Sequence, residues 1–302
     1  MQTEDVSPRF ADLDRWPTGE IVDAITQSQM AAVAAVHAAA PALAAAADAA
    51  ARVLGTGRGV LAYAGAGSSG RLGVQDGVEL LPTFGWPRDR LAYLLAGGDR
   101  SVLNAVEGAE DSSEQGRHAV TSAGLGRDDV LVAIAASGRT PFTVAAAQAA
   151  RAAGALTIGL SGNGDTPLLT VVDHPILLQT GAEVIAGSTR MAAGTAQKAA
   201  LNALSSAMMV RLGRVHSNLM VDIASSNAKL DRRRVAILRR IVPVDEATAT
   251  RALAAADRAI KPACLIALGA EPAVAADMLG QADNHLRPAL ALWQRRQAVK
   301  PE

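Results

Sequence analysis

The chain has 302 residues, of which half are hydrophobic, and its 29 basic and 29 acidic side chains leave a formal net charge of zero. A chain of this length buries a substantial core as one large domain, or as one domain with a small appendage. The balanced charge removes the usual electrostatic case for nucleic acid or an anionic membrane as partner, and the single cysteine, Cys264, excludes an intrachain disulfide.

The chain opens Met1-Gln2-Thr3-Glu4-Asp5, acidic and without an apolar core segment, so no signal peptide is expected. Residues 1–18 read as irregular, with Pro8 and Pro17 as breakers, and a short helix is expected from Glu20 to about Ser28. The alanine-rich stretch from Met30 to Leu54 holds His37, Pro41, Asp48 and Arg52, and alanine is only feebly apolar. It reads as a packed soluble helix or helical pair rather than a membrane span, which points to the cytoplasm.

The run Val60-Leu61-Ala62-Tyr63-Ala64 reads as a short buried parallel strand. It feeds Gly65-Ala66-Gly67-Ser68-Ser69-Gly70-Arg71-Leu72-Gly73, a tight turn that opens a helix near Gly70. Glycines let a ligand approach the backbone, free N–H groups at a helix start point outward, and two hydroxyls add donors, so this turn suits an anion. Gly65, Gly67 and Gly70 also satisfy the dinucleotide fingerprint, but that motif needs an acidic residue about 20 positions on, at the next strand's end. Here the strand candidate Leu91–Ala96 runs into Gly97-Gly98 and Asp99 arrives late. The hydroxyl turns recur at Ser137-Gly138-Arg139-Thr140 and Gly187-Ser188-Thr189-Arg190, a set that suits a phosphorylated sugar better than a dinucleotide.

A helix is expected from Arg71 to Leu81, stopped by Pro82, and another from Ser101 to about Glu110. Further strand candidates are Asp129–Ala136, Ala155–Leu160 and His174–Gln179, with a helix at Thr143–Ala153. Strands alternating with helices in this way predict an α/β fold with a doubly wound parallel sheet, and ligands in such sheets bind beyond the strand C-termini. One long helix follows from Met191 to Leu212, then a helical segment containing Asn218 to Lys229, a charged stretch at Asp231–Arg240, and after Pro243 a small C-terminal bundle of about three short helices. The expected domains are an N-terminal helical segment (1–54), a sugar-phosphate domain (55–240) and a helical C-terminal domain (241–302).

For chemistry, Glu79 lies three residues beyond Asp76 on one helix, so the two are expected to share a face, and Glu107, Glu110 and Asp111 form a second acidic cluster. A solvated surface is the commoner place for such residues, but two carboxylates in different environments can divide into an acid and a base. The five histidines, His37, His118, His174, His216 and His285, are scattered without metal-ligand spacing, with His174 expected in a strand and His216 in a loop or helix end. Cys264 sits in an apolar stretch and reads as a buried small hydrophobe. Asn227 and Lys229 are candidates to reach a ligand, against a solvated helical face.

Taken together, the segments Gly65–Gly73, Glu79 with Pro82-Thr83-Phe84-Gly85, Ala105–Ser112, Ile134–Pro141, Gly187–Met191 with Gly194–Lys198, and Asn218–Asp222 closely resemble the N-acetylmuramic acid 6-phosphate etherases, sugar isomerase (SIS) domain proteins of bacterial cell-wall recycling. The resemblance runs from about Thr3 into the C-terminal helices. It implies a SIS-type sheet and a lyase that cleaves the lactyl ether of N-acetylmuramic acid 6-phosphate to N-acetylglucosamine 6-phosphate and D-lactate, by elimination and hydration, without metal or redox cofactor. The family's acid maps onto Glu79 and its base onto Glu110, while Ser68, Ser69, Ser137, Thr140, Ser188 and Thr189 would hold phosphate and sugar. A homodimer with sites near the subunit interface is implied as well. This chain departs from the family in reading Gly77-Val78-Glu79-Leu80-Leu81-Pro82 where Ala-Ser-Glu-Cys-Pro-Pro is usual, and in having Ala192 where a lysine follows Arg-Met.

The competing reading is a non-catalytic SIS protein that senses a sugar phosphate; a sensor has no need of the carboxylate pair. A DNA-binding regulator would want a basic helix-turn-helix in Met1–Leu54, which is absent from the pattern there, and the match at both glutamates speaks against an aldose–ketose isomerase.

Overall fold

Strands buried on both faces are apolar throughout, because neither side offers water to a polar side chain. Five strands form, β1 Leu61–Gly65, β2 Leu91–Leu95, β3 Val130–Ile134, β4 Leu156–Ser161 and β5 His174–Leu177; β1, β3 and β4 are buried along nearly their whole length, and the edge strands β2 and β5 only in part. They pair in parallel in the order β2-β1-β3-β4-β5, the doubly wound sheet expected. Leu61, Val130 to Ile134, Ile158 and Leu160 are fully buried. The computed structural model describes residues 2–104, 106–224 and 228–298. The chain divides into two compact units, Met1–Val78 with Arg88–Met208, and Glu79–Pro87 with Met209–Glu302.

In the first unit, α1 Thr18–Ala38 and α2 Ala40–Leu54 precede the sheet. The helix expected to end near Ser28 continues unbroken to Ala38, because no breaker follows; the chain then bends 56° and restarts with Pro41 in the first turn, where a missing N–H costs nothing. Helix α3, Gly67–Phe84, begins in the first unit and ends in the second; α4 Ser113–Ala123, α5 Pro141–Ala152, α6 Pro167–Val171 and α7 Ala192–Arg211 follow. Alanines on α5 (Ala146, Ala147 and Ala150) are fully buried, and a Cβ on Gly116 of α4 would lie 2.2 Å from Phe142 O, so these two helices pack at backbone distance. Near the N-terminus, Asn163 Nδ2 donates to Thr3 Oγ1 at 2.9 Å and Ala136 O at 3.0 Å, which pins residues otherwise arranged in short 3-10 turns.

Two boundaries differ from expectation. Helix α3 starts at Gly67 and runs through Pro82 to Phe84. Its end is carried instead by Gly85, whose φ of +63° suits the left-handed C-terminal cap, with Gly85 N donating to Leu81 O at 2.9 Å. The segment expected as a helix from Ser101 to Glu110 is two short 3-10 turns, Asp99–Val102 and Ala109–Asp111. Gly97, Gly98 and Gly108 all have positive φ, and a Cβ on Gly97 would meet Val106 at 2.8 Å, so the chain folds tightly back on itself rather than coiling.

The second unit holds the end of α3, the hairpin β6 Val215–His216 and β7 Leu219–Met220, and α8 Ala228–Ile241, α9 Glu246–Ala255, α10 Ile260–Ala267, α11 Pro272–Gln281 and α12 Leu286–Ala298. The hairpin stands where a helix from Asn218 was expected; Ser217 at φ +56° makes its turn and His216 belongs to a strand. After Pro243 the described residues form four helices rather than about three. Leu238, Ala263, Cys264 and Leu286 form one core cluster, and Leu265, Ala275, Ala289 and Trp293 another.

A buried ionic group anchors the end of α3 within this unit. Lys261, 2 % exposed, places Nζ 2.7 Å from Asp222 Oδ2 and donates to Asn284 O at 3.0 Å. Arg214 stacks over Trp86 at 5.1 Å, lies 3.8 Å from Asp222 Oδ2, and donates to Phe84 O, the last carbonyl of the helix, and to Gly85 O of its cap. Burial holds the Lys261 ammonium below its ordinary value, with Asp222 opposing the shift.

Candidate active site

The first turn after β1 is built by contact between glycines. A Cβ on Gly65 would lie 2.9 Å from Gly70 N, and one on Gly70 would lie 2.9 Å from Gly65 O. Only glycine lets the strand end touch the helix start, and this presents the unpaired N–H groups of the first turn of α3 at the strand C-terminus. Gly65 is in register with both Leu95 and Ile134, so the segments after β2 and β3 leave the sheet on either side of this turn. The order of strands reverses between β2 and β3 across β1, the position at which doubly wound sheets bind ligands.

A cavity of about 300 Å³ opens there, lined by Ser68, Arg71, Ser101, Asn104, Glu107 and Glu110 together with backbone of Ala66, Gly67 and Gly108. Glu110 stands on the 3-10 turn that follows Gly108 and is exposed. Arg71 Nε donates to Ser101 O at 3.1 Å and Val102 O at 3.0 Å, and Nη2 to Asn104 O at 3.5 Å, which ties the loop before Glu110 to α3.

The other sequence-predicted residues fall in several places. Ser69 is buried, and its Oγ donates to Gln197 Oε1 at 2.9 Å. Ser137 Oγ accepts from Arg139 N at 3.1 Å in the turn after β3, and Thr140 precedes α5 without a side-chain capping bond. A Cβ on Gly138 in that turn would stand 2.4 Å from Thr166 Oγ1 and 2.5 Å from Ser161 Oγ. Ser188 and Thr189 lie in the loop before α7, whose first amides, Ala192 N and Ala193 N, donate to the buried carboxylate of Glu183 at 2.8 and 2.9 Å. This helix start therefore already holds an anion of the chain's own.

The two acids expected to share a face of α3 lie three residues apart on that one helix and differ in burial. Asp76 is buried in the first unit, accepting from Tyr63 Oη at 2.7 Å and from Asn202 Nδ2 and Ser205 Oγ at 3.1 Å each. Burial, then the Asp76 charge, holds the Tyr63 phenol well above its ordinary value; burial and Asp76 also push Tyr93 up to about 12. Glu79 is exposed and belongs to the second unit. Asn227 and the side chain of Lys229 lie outside the described residues.

Among the described residues no three His, Cys, Asp or Glu side chains cluster as metal ligands would. Cys264 is fully buried, and burial pushes its thiol up to about 12, which keeps it protonated. Sequence reasoning missed Gln197, Glu183 and the loop-holding role of Arg71. Arg71 carried a local signal, as a cation in the first turns of a helix that should favour anions; Glu183 binds amides nine and ten residues further on, and Gln197 acts across the fold.

A family model described as the N-terminal SIS domain of glucokinase regulatory protein matches residues 24–151, and the SIS domain model matches residues 108–207. An N-acetylmuramic acid 6-phosphate etherase of Deinococcus radiodurans is 49% identical over 96% of this chain and 95% of its own length. The etherase of Streptomyces avermitilis is 44% identical over 98% of this chain and 95% of its own length. Among solved structures, a phosphoheptose isomerase from Francisella tularensis superposes with a TM-score of 0.50 at 22% identity, covering 65% of this chain and 98% of that one, which agrees with the SIS-type sheet.

Proposed function

Because the chain belongs to the N-acetylmuramic acid 6-phosphate etherase family, we propose that it cleaves the lactyl ether of N-acetylmuramic acid 6-phosphate, releasing D-lactate and N-acetylglucosamine 6-phosphate. The observation that carries the assignment onto this chain's residues is that Ser68, from the phosphate-type turn, and Glu110 face one cavity at the strand C-termini.

Opening of the sugar ring exposes an aldehyde, which acidifies the hydrogen on the adjacent carbon. Glu110 takes that proton, and the C–H electron pair passes into an enolate. Collapse of the enolate expels the lactyl oxygen from the next carbon, and Glu79 protonates it as it leaves. Water then adds at the carbon that bore the ether, and a proton returns to its neighbour. The phosphate sits against the first-turn amides of α3 with Ser68, and Ser137 and Thr140 approach from the neighbouring strand end; Ser69 contributes through its backbone N–H, and Ser188 and Thr189 through their loop.

We assign the working form as a homodimer, supported by the apolar side chains Val22, Met30 and Val33 that α1 leaves exposed. The cytoplasm is the place for this substrate, since a sugar phosphate does not cross a bilayer unaided. No single helix among the described residues is long and apolar enough to span one; two bent pairs pass on length and composition alone, α1 with α2 and α10 with α11.

The test is D-lactate release from N-acetylmuramic acid 6-phosphate by the purified chain in the presence of a chelator, with Glu110→Gln alongside. Release that vanishes in the variant supports the reading. Substrate binding without release by the parent would instead favour a sugar-phosphate sensor.

A further inference from the structure

The reaction cavity is lined by two carboxylates, Glu107 and Glu110, and by one cationic side chain, Arg71. The etherase substrate carries two anionic groups, a phosphate and the carboxylate of its lactyl arm. The phosphate has donors of its own at the start of α3 and on the hydroxyl turns. The carboxylate must approach the carbon next to the one Glu110 deprotonates, and without a cation there it would be repelled by the ionised base.

We propose that Arg71 receives the lactyl carboxylate and thereby makes the site select ethers that bear an acid; this rests on the etherase reading above. The guanidinium has five N–H donors in a fixed fork. Its partners among the described residues are neutral carbonyls: Ser101 O and Val102 O on Nε, and Asn104 O on Nη2. Nη1 and the second hydrogen on Nη2 remain for a ligand, and no carboxylate of the described residues takes up the charge. The same carbonyls belong to the loop leading to Glu110, so the tether holds the cation on the base's side of the cavity. An arginine held by its own backbone bonds is ordered before substrate arrives, which reduces the entropy lost on binding.

The experiment compares three ligands: N-acetylmuramic acid 6-phosphate; its analogue in which a methyl group replaces the carboxylate, leaving an isopropyl ether; and N-acetylglucosamine 6-phosphate, which has no ether arm. Dissociation constants are measured by calorimetry in a Glu110→Gln background, with and without Arg71→Met or Arg71→Lys, so that no turnover is needed. Turnover of the parent chain is read separately and reports only on the etherase assignment. With Arg71 present, the acid-bearing ether is expected to bind roughly 10- to 100-fold tighter than the isopropyl ether, the scale of a charge-assisted contact. In Arg71→Met that ratio should collapse to about one while the affinity for N-acetylglucosamine 6-phosphate stays within about threefold, and Arg71→Lys should keep part of the ratio. Three results overturn the proposal. The ratio survives in Arg71→Met; all three ligands weaken together, which makes Arg71 a loop tether or a phosphate ligand; or no preference for the acid exists with Arg71 in place.

Discussion

Ser69 Oγ donates to Gln197 Oε1 at 2.9 Å, joining the first turn of α3 to α7 through two buried side chains. Its neighbour Ser68 lines the cavity instead. The adjacent hydroxyls of one motif therefore do different work. Ser69→Ala would leave a buried amide oxygen without its donor and should cost about 1–3 kcal/mol of stability. Ser68→Ala should leave the melting temperature nearly unchanged and raise KM for a sugar phosphate roughly tenfold. Thermal melts beside initial-rate kinetics for both variants separate the two roles; loss of stability in Ser68→Ala would contradict the assignment.

The cap of α3 is a second place where a single atom decides. A Cβ at Gly85 would lie 2.3 Å from Asp222 O, in a backbone conformation of φ +63° that side chains disfavour. Asp222 is held in turn by Lys261. Gly85→Ala is expected to destabilise the chain by more than about 2 kcal/mol, read as a lower urea midpoint. An unchanged midpoint would mean that this helix end yields easily and is not fixed by the ionic group.

The sheet was legible because a parallel strand buried on both faces leaves a continuous apolar run, as in Val130–Ile134. What failed were features whose cause lies outside the local window. Pro82 reads as a stop, yet the helix passes it because Gly85 and the Arg214 donors carry the end a turn later. The hairpin at 215–220 has strands of two residues each, too short for alternation to show. At the site, the turn glycines and Glu110 were visible as local pattern, but Gln197 reaches Ser69 from 128 positions away and nothing near either residue signals the bond. Asp76 and Glu79 are spaced as helix neighbours, and only the packing of Tyr63, Asn202 and Ser205 around Asp76 tells them apart.

That difference in burial makes the two acids testable against each other. Glu79 is exposed, so Glu79→Gln removes a carboxyl without emptying a core position and should leave stability within about 0.5 kcal/mol. On the proton-donor role proposed for Glu79, the substitution should lower kcat for ether cleavage by roughly 10²- to 10⁴-fold with little change in KM. Asp76→Asn should show the reverse, a lowered melting temperature from a disturbed buried network. A Glu79→Gln variant with parental kcat would remove this residue as the acid.

Acid sensitivity of the second unit follows from the hairpin. Burial holds the His216 imidazole below its ordinary 6.5, and the Arg287 cation adds to the shift. The unfolded chain therefore takes up this proton before the folded chain does. The stabilisation from a neutral His216 is complete above about 6.5 and is lost as pH falls from there through the lower folded value. Replacing His216 with glutamine removes that proton uptake, so the drop in melting temperature between about pH 7.5 and 5.5 should be smaller in His216→Gln than in the parent. Parallel pH profiles for the two proteins would show that the imidazole titrates alike in the folded and unfolded chain, and that the hairpin does not shield it.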